Sequence, residues 1–86
     1  TMRMIIQTET RAQHKTIVEV FHSALENYAI EHFEAWQVTL SKVNGLFTVT
    51  IDDVGSTQRE DIVRILIESE EDMIIDFPLL VQTLEY

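Results

Sequence analysis

Apolar and polar residues alternate most regularly between Trp36 and Asp53, and this pattern predicts a β-hairpin. Asn44-Gly45 lies between two runs rich in β-branched and aromatic residues, which is the strongest short-range signal for a hairpin. A two-residue type I′ turn needs positive φ at both positions, which Asn tolerates and Gly adopts freely. The turn fixes the register, so Leu40 should face Val49. One face of the hairpin is then apolar and needs a covering layer, while the other carries hydroxyl groups.

A helical pattern precedes the hairpin and runs from about Thr10 to Glu31. Thr10 and Gln13 form a capping box, in which each side chain accepts a hydrogen bond from a backbone N–H of the first turn. At about 100° per residue, apolar side chains gather into one stripe that should cover the hairpin. The stripe consists of Ile17, Val20, Phe21, Ala24, Leu25 and Tyr28. Residues 2–7 before this helix fit either a short strand or an extension of the helix.

A second helical pattern follows the hairpin and opens with a predicted capping box at Thr57–Glu60. It should stop by about Asp76, because Pro78 disfavours helical backbone at the residue before it. Residues 79–86 should then form a short terminal helix or an extended tail. The inward stripe of the second helix should contain Ile62, Ile65, Leu66, Ser69 and Met73.

A flanking stripe on the second helix adds Val63, Ile67 and Ile74 to its apolar surface. The apolar arc becomes wider than one hairpin can cover. Small domains often supplement their cores by oligomerisation. The sequence therefore predicts a homodimer with Val63, Ile67 and Ile74 in its interface.

The predicted order is (β)αββα, an α+β fold in which two helices cover one face of a small antiparallel sheet. The sheet contains the hairpin 36–53, with or without an added N-terminal strand. A length of 86 residues fits a single domain, residues 1–86. With 45% hydrophobic residues, two Gly and one Pro, the composition is globular rather than disordered.

The charge balance limits the classes of partner. Fifteen acidic and six basic residues give a net charge of −9, which disfavours direct binding to nucleic-acid phosphates or anionic lipids. A basic protein partner is permitted. The densest acidic run holds Glu68, Glu70, Glu71 and Asp72, and these are the predicted partner-binding residues. The same run also fits a solvated helix face, or a row of charges that imitates nucleic-acid phosphates.

The sequence contains no recognisable catalytic, cofactor or metal motif. Glu19 and His22 have the Glu-x-x-His spacing of metal ligands, but a di-iron bundle needs that motif twice plus two further carboxylates. His14 and His32 are separated by about 27 Å along the predicted helix, too far to act on one small substrate. The chain has no cysteine and only two glycines, so thiolate chemistry and a glycine-rich phosphate loop are excluded. We expect no catalytic residue, no cofactor and no metal ion.

These observations favour a non-catalytic, regulatory protein-interaction module, such as a subunit, adaptor or inhibitor, that acts as a homodimer on a basic protein. No segment resembles a signal peptide or a membrane span, and we expect a cytoplasmic location without membrane association. Two alternatives stay open: an enzyme or ligand-binding domain with its site at a dimer interface, and a nucleic-acid-mimicking inhibitor. A deep pocket lined by His14, His32 or Tyr28 would favour the former. A shallow apolar patch ringed by carboxylates would favour the interaction module.

Overall fold

The computed structural model describes residues 1–27 and 37–85. Its elements follow the order β1 (Met2–Thr8), α1 (Arg11–Asn27), β2 (Gln37–Val43), β3 (Leu46–Val54), α2 (Ser56–Glu71) and β4 (Leu80–Glu85). Several predictions fall outside the described residues, namely the helix beyond Asn27, Tyr28, His32, Trp36 and the side chain of Leu25.

The strands form one antiparallel sheet in the order β2-β3-β1-β4. The inward residues of both helices share a core with alternate residues of β1 and β3, so the predicted α+β fold with helices on one face is confirmed. The βαββαβ order with this strand arrangement is the ferredoxin-like, split βαβ topology. That topology supports many unrelated functions and indicates none by itself.

The hairpin has the predicted turn and register. Asn44 has φ 52 and Gly45 has φ 82, as a type I′ turn requires. Leu40 pairs with Val49, as predicted. However, Leu40 remains 53% exposed, because β2 is an edge strand and the helices cover mainly the middle of the sheet.

The N-terminal segment is a strand, and the alternative of a helix extension is wrong. β1 lies in the middle of the sheet and pairs with both β3 and β4. Between Met2 and Met4 the register with β3 shifts, and Asp53 takes φ 55 there. This bulge returns Val54 to the core face of the sheet, where its side chain is fully buried.

The predicted capping box of α1 is present. The Gln13 N–H donates to Thr10 Oγ1 at 3.2 Å, and the Thr10 N–H donates to Gln13 Oε1 at 3.2 Å. The capping box predicted for α2 at Thr57 is wrong. The chain leaves β3 at the buried Val54, so the extended Gly55 becomes the N-cap and, among the described residues, no side chain provides a cap hydrogen bond for α2.

The C-terminus of α2 is a Schellman turn, which ends the helix at Glu71. The Ile74 N–H donates to the Ser69 carbonyl at 2.9 Å, and the Met73 N–H donates to the Glu70 carbonyl at 3.0 Å. Met73 has φ 60 and is 78% exposed, so its predicted place in the inward stripe is wrong. The turn rotates Met73 out of the helix, and Ile75 is buried instead. The other predicted inward residues, Ile62, Ile65, Leu66 and Ser69, are buried.

The last segment is extended, and the alternative of a terminal helix is wrong. β4 pairs with β1 from Leu80 opposite Gln7 to Glu85 opposite Met2. A fourth strand that the sequence pattern did not identify as part of the sheet therefore completes it. The free edge of the central strand β1 provides the hydrogen-bonding partners that hold this tail extended.

Candidate functional site

The facing sides of α1 and α2 enclose an open groove of about 330 Å³. Val20 and Ala24 of α1 and Ile65 of α2 contribute apolar surface to it, and all three are buried core residues. Ile74, in the turn after α2, also lines the groove and is 54% exposed. The groove at the seam between the two helices therefore has a partly apolar lining.

Carboxylates line this groove from both helices. Glu19 belongs to α1, and Glu68 lies in the last turn of α2. Asp72 is the C-cap of α2 and follows Glu68 by one turn, a spacing that places both on the same side of the helix. All three residues are exposed at the surface. Lys15 approaches Glu19 at 4.0 Å as an i,i+4 pair, with both side chains mostly in solvent. Such exposed pairs are weak, so Lys15 leaves Glu19 able to bind a cation.

Two hydroxyl groups of the groove donate their protons to their own helices. Thr16 Oγ1 donates to the Ala12 carbonyl at 3.1 Å, and Ser69 Oγ donates to the Ile65 carbonyl at 2.8 Å. Because these protons are used, each oxygen can offer the groove only a lone pair. Together with the carboxylates, they make a surface of acceptors that suits ammonium or guanidinium groups.

The groove contains only part of the predicted partner-binding cluster. Glu68 and Asp72 line it. Glu70 lies two turns after Val63 on the opposite flank of α2, and Glu71 lies one turn after Ile67 on the outer surface, as the helical repeat requires. The involvement of all four residues in partner binding stays a prediction, but they do not form one contiguous surface.

The three residues predicted for a dimer interface do not lie on one surface either. Val63 is half-buried against the core, and Ile67 is 49% exposed. The prediction that Ile74 continues their stripe is wrong, because α2 ends at Glu71 and the Schellman turn brings Ile74 back beside Ser69. Ile74 lines the acidic groove instead. The presence of any of the three in a dimer interface stays a prediction.

Sequence reasoning did not identify Glu19 or Thr16 as residues of this groove. The sequence pattern suggests for Glu19 only the spacing of a metal ligand with His22. Within the part of the chain that the structure describes, no three His, Cys, Asp or Glu side chains are arranged to hold a metal ion. The signal that could have found Glu19 is its position at the border of the apolar stripe of α1. Two helices on one face of a sheet are neighbours, so the border residues of their stripes can meet.

His14 lies in a separate, shallow depression with Arg11, Leu40, Lys42 and Phe47. Its ring centroid is 5.6 Å from that of Phe47, and Lys42 Nζ lies 5.0 Å from the centroid of the same phenyl ring. His14 Nδ1 is buried, with no hydrogen-bond partner among the described residues. His14 thus lies at the edge of the core beside an aromatic side chain.

No helix in the described ranges 1–27 and 37–85 is long and apolar enough to cross a membrane. No protein family matches the sequence, and no curated protein is similar enough to count as a relative. The chemistry of the groove is therefore the basis for a functional proposal.

Proposed function

We propose that this protein is a non-catalytic, regulatory interaction module that binds a basic protein through the groove between α1 and α2 and acts as a homodimer. The supporting observation is that carboxylates from both sides of the groove, Glu19, Glu68 and Asp72, lie beside its apolar residues. The net charge of −9 acts in the same direction. Its cysteine-free sequence suits a reducing compartment, and we propose the cytoplasm as its location.

The groove has the two features that a lysine or arginine side chain needs. Such a side chain places its aliphatic stem on apolar surface and its charged head beside an acceptor. Ile74 offers exposed apolar surface, which the nearly buried Val20, Ala24 and Ile65 supplement, and Glu19 and Asp72 offer the acceptors. A partner helix with basic residues one turn apart would use the groove along its length, in the helix-in-groove mode of recognition.

Neutralising the carboxylates of the groove tests this proposal. The groove variant carries Glu19→Gln, Glu68→Gln and Asp72→Asn, which keep side-chain size and remove three negative charges. Its fold should be unchanged, because these residues are exposed. Wild-type and variant proteins are used as bait in a lysate of the native cell, and captured proteins are quantified by mass spectrometry. Basic proteins captured by the wild type should be lost from the groove variant.

A matched control separates the groove from the overall charge. The control variant carries Glu9→Gln, Asp53→Asn and Asp76→Asn, which remove the same charge at exposed positions outside the groove. This variant should retain the captured proteins. Equal losses from both variants would mean that binding depends on the overall charge and not on the groove, which would contradict the proposal. A captured protein that nucleic acid displaces would favour the nucleic-acid-mimicking alternative.

A further inference from the structure

The outer edge of β4 is open to another strand. β4 is the terminal strand of the sheet and pairs with β1 on its inner side. Within residues 1–27 and 37–85, no strand pairs with its outer side. Leu80, Val81 and Leu84 are exposed by 58%, 43% and 47%. This edge therefore offers backbone hydrogen-bonding groups together with apolar side chains on both faces of the sheet.

Edge strands are usually protected from pairing by charges, by proline or by a bulge. Residues 77–84 carry no charge in a chain of net charge −9. Pro78 precedes the strand, and the described pairs of β4 with β1 run from Leu80 to Glu85 without a register shift. The opposite edge strand, β2, carries Lys42. In β4 the one charged residue is Glu85 at the last position, so residues 80–84 have no charge that protects their edge.

One flank of α2 extends the surface of this edge. Arg59 of the first turns of α2 lines a depression together with Thr83 and Leu84, so α2 begins beside the end of β4. Val63 and Ile67 follow Arg59 at successive helical turns, on the flank of α2 away from the groove. The edge of β4 and this flank form one surface, which we name the β4–α2 edge.

We propose that two copies of the chain associate through the β4–α2 edge, with their β4 strands antiparallel about a two-fold axis at Gln82. Residues that oppose each other across such a pair lie on the same face of the sheet. This axis places Leu80 opposite the partner's Leu84, and the reverse. It also places Glu85 opposite the partner's Leu79, so the acidic residues are kept apart. The two four-stranded sheets become one continuous sheet.

The two neighbouring axes are less favourable. An axis at Thr83 would place Leu84 opposite the partner's Gln82, so the leucines of the two copies would no longer oppose each other. An axis at Val81 would place Leu84 opposite the partner's Pro78, and proline has no N–H for the ladder. The leucine-matched register is therefore centred on Gln82.

The position of α2 agrees with the same axis. Gln82 precedes Leu84 by about 7 Å along the strand, a distance that corresponds to roughly four to five residues of a helix. Since Arg59 lies beside Leu84, the axis meets α2 near Arg64. The antiparallel copy of α2 then brings Val63 and Ile67 of the two subunits together at the axis. Arg59 approaches the partner's Glu70, which gives charge complementarity on both sides.

The helix flank enlarges the interface beyond the strand edge. Specific interfaces bury roughly 1,200–2,000 Å² in total, more than the edge of one short strand offers. The adjoining α2 surface adds apolar area from Val63 and Ile67. This inference rests on the homodimer of the proposed function and does not depend on the basic partner.

The axis can be tested with a single introduced cysteine, because the chain has none. Directly opposed residues in an antiparallel pair have Cα atoms about 4.5–5.5 Å apart, within the range for a disulfide. Under mild oxidation, the Gln82→Cys protein should form a covalent dimer roughly tenfold or more faster than the Ser41→Cys protein, because pre-association raises the effective concentration of the thiols. Ser41 is a matched control, since it is an exposed polar residue of the other edge strand.

Sedimentation equilibrium supplies the second measurement. The wild type should be a dimer, and the Leu80→Lys/Leu84→Lys variant should be a monomer at the same concentration. The control Leu40→Lys/Val43→Lys adds the same charges to exposed positions of β2 and should stay dimeric. A monomeric wild type would overturn both this inference and the homodimer of the proposed function. A dimer that withstands the β4 substitutions, with equal disulfide rates at positions 82 and 41, would overturn this inference alone.

Discussion

Met73 is a non-glycine residue in a backbone conformation that favours glycine. It has φ 60 at the position after the C-cap of α2, where glycine is the usual residue. The left-handed conformation costs an L-residue roughly 1–2 kcal/mol. The side chain is exposed, so it recovers little of this cost through packing.

Met73→Gly should therefore stabilise the protein. The relief of the left-handed strain is partly offset by the greater freedom of glycine in the unfolded chain, so the free energy of unfolding should rise by about 0.5–1 kcal/mol. Urea denaturation measures this change. Met73→Ala is the control, because alanine removes the side chain but keeps a Cβ at the same φ. Equal free energies of unfolding for the Gly and Ala variants would contradict the claim that position 73 is strained.

At the scale of single elements, the caps of the two helices differ. Thr10 accepts a hydrogen bond from the Gln13 N–H, whereas Thr57 lies inside the first turn of α2, after the N-cap Gly55. Thr10→Ala should lower the free energy of unfolding by about 1 kcal/mol, as is usual for loss of an N-cap side chain. Thr57→Ala should change it by less than about 0.5 kcal/mol. Urea denaturation measures both changes. A larger loss of stability for Thr57→Ala than for Thr10→Ala would contradict this assignment and support Thr57 as the N-cap of α2.

Local sequence signals predicted the elements whose structure is decided locally. The turn at Asn44-Gly45 and the capping box at Thr10 each need only a few adjacent residues, and both are present. The sequence pattern allows either a helix or an extended chain at residues 79–86, because the conformation of this tail depends on pairing with β1. That strand is distant in sequence, and no pattern within the tail could identify it.

The end of α2 and the candidate groove were missed for a related reason. The helical pattern continues through Met73 and Ile74, and only the hydrogen bonds of the Schellman turn show that the helix has ended. The groove joins Glu19 to Glu68 and Asp72. The sequence supplied the acidic run on α2, but the contribution of α1 depends on how the two helices pack.

For the whole molecule, the central claim is that the groove, and not the net charge alone, recognises a basic partner. The overall charge of −9 attracts any basic protein and raises association rates, an effect that salt screens. Carboxylates at the contact itself add to this attraction at short range. The two contributions separate when equal charge is removed inside and outside the groove.

Stopped-flow association with the purified captured partner, at two ionic strengths, tests this claim most directly. The groove variant (Glu19→Gln, Glu68→Gln, Asp72→Asn) should associate roughly tenfold more slowly at low salt and lose much of its salt dependence. The control variant (Glu9→Gln, Asp53→Asn, Asp76→Asn) should stay close to the wild type. Unchanged association rates for the groove variant, or equally reduced rates for both variants, would contradict the claim. The acidic residues would then serve only to keep the protein soluble.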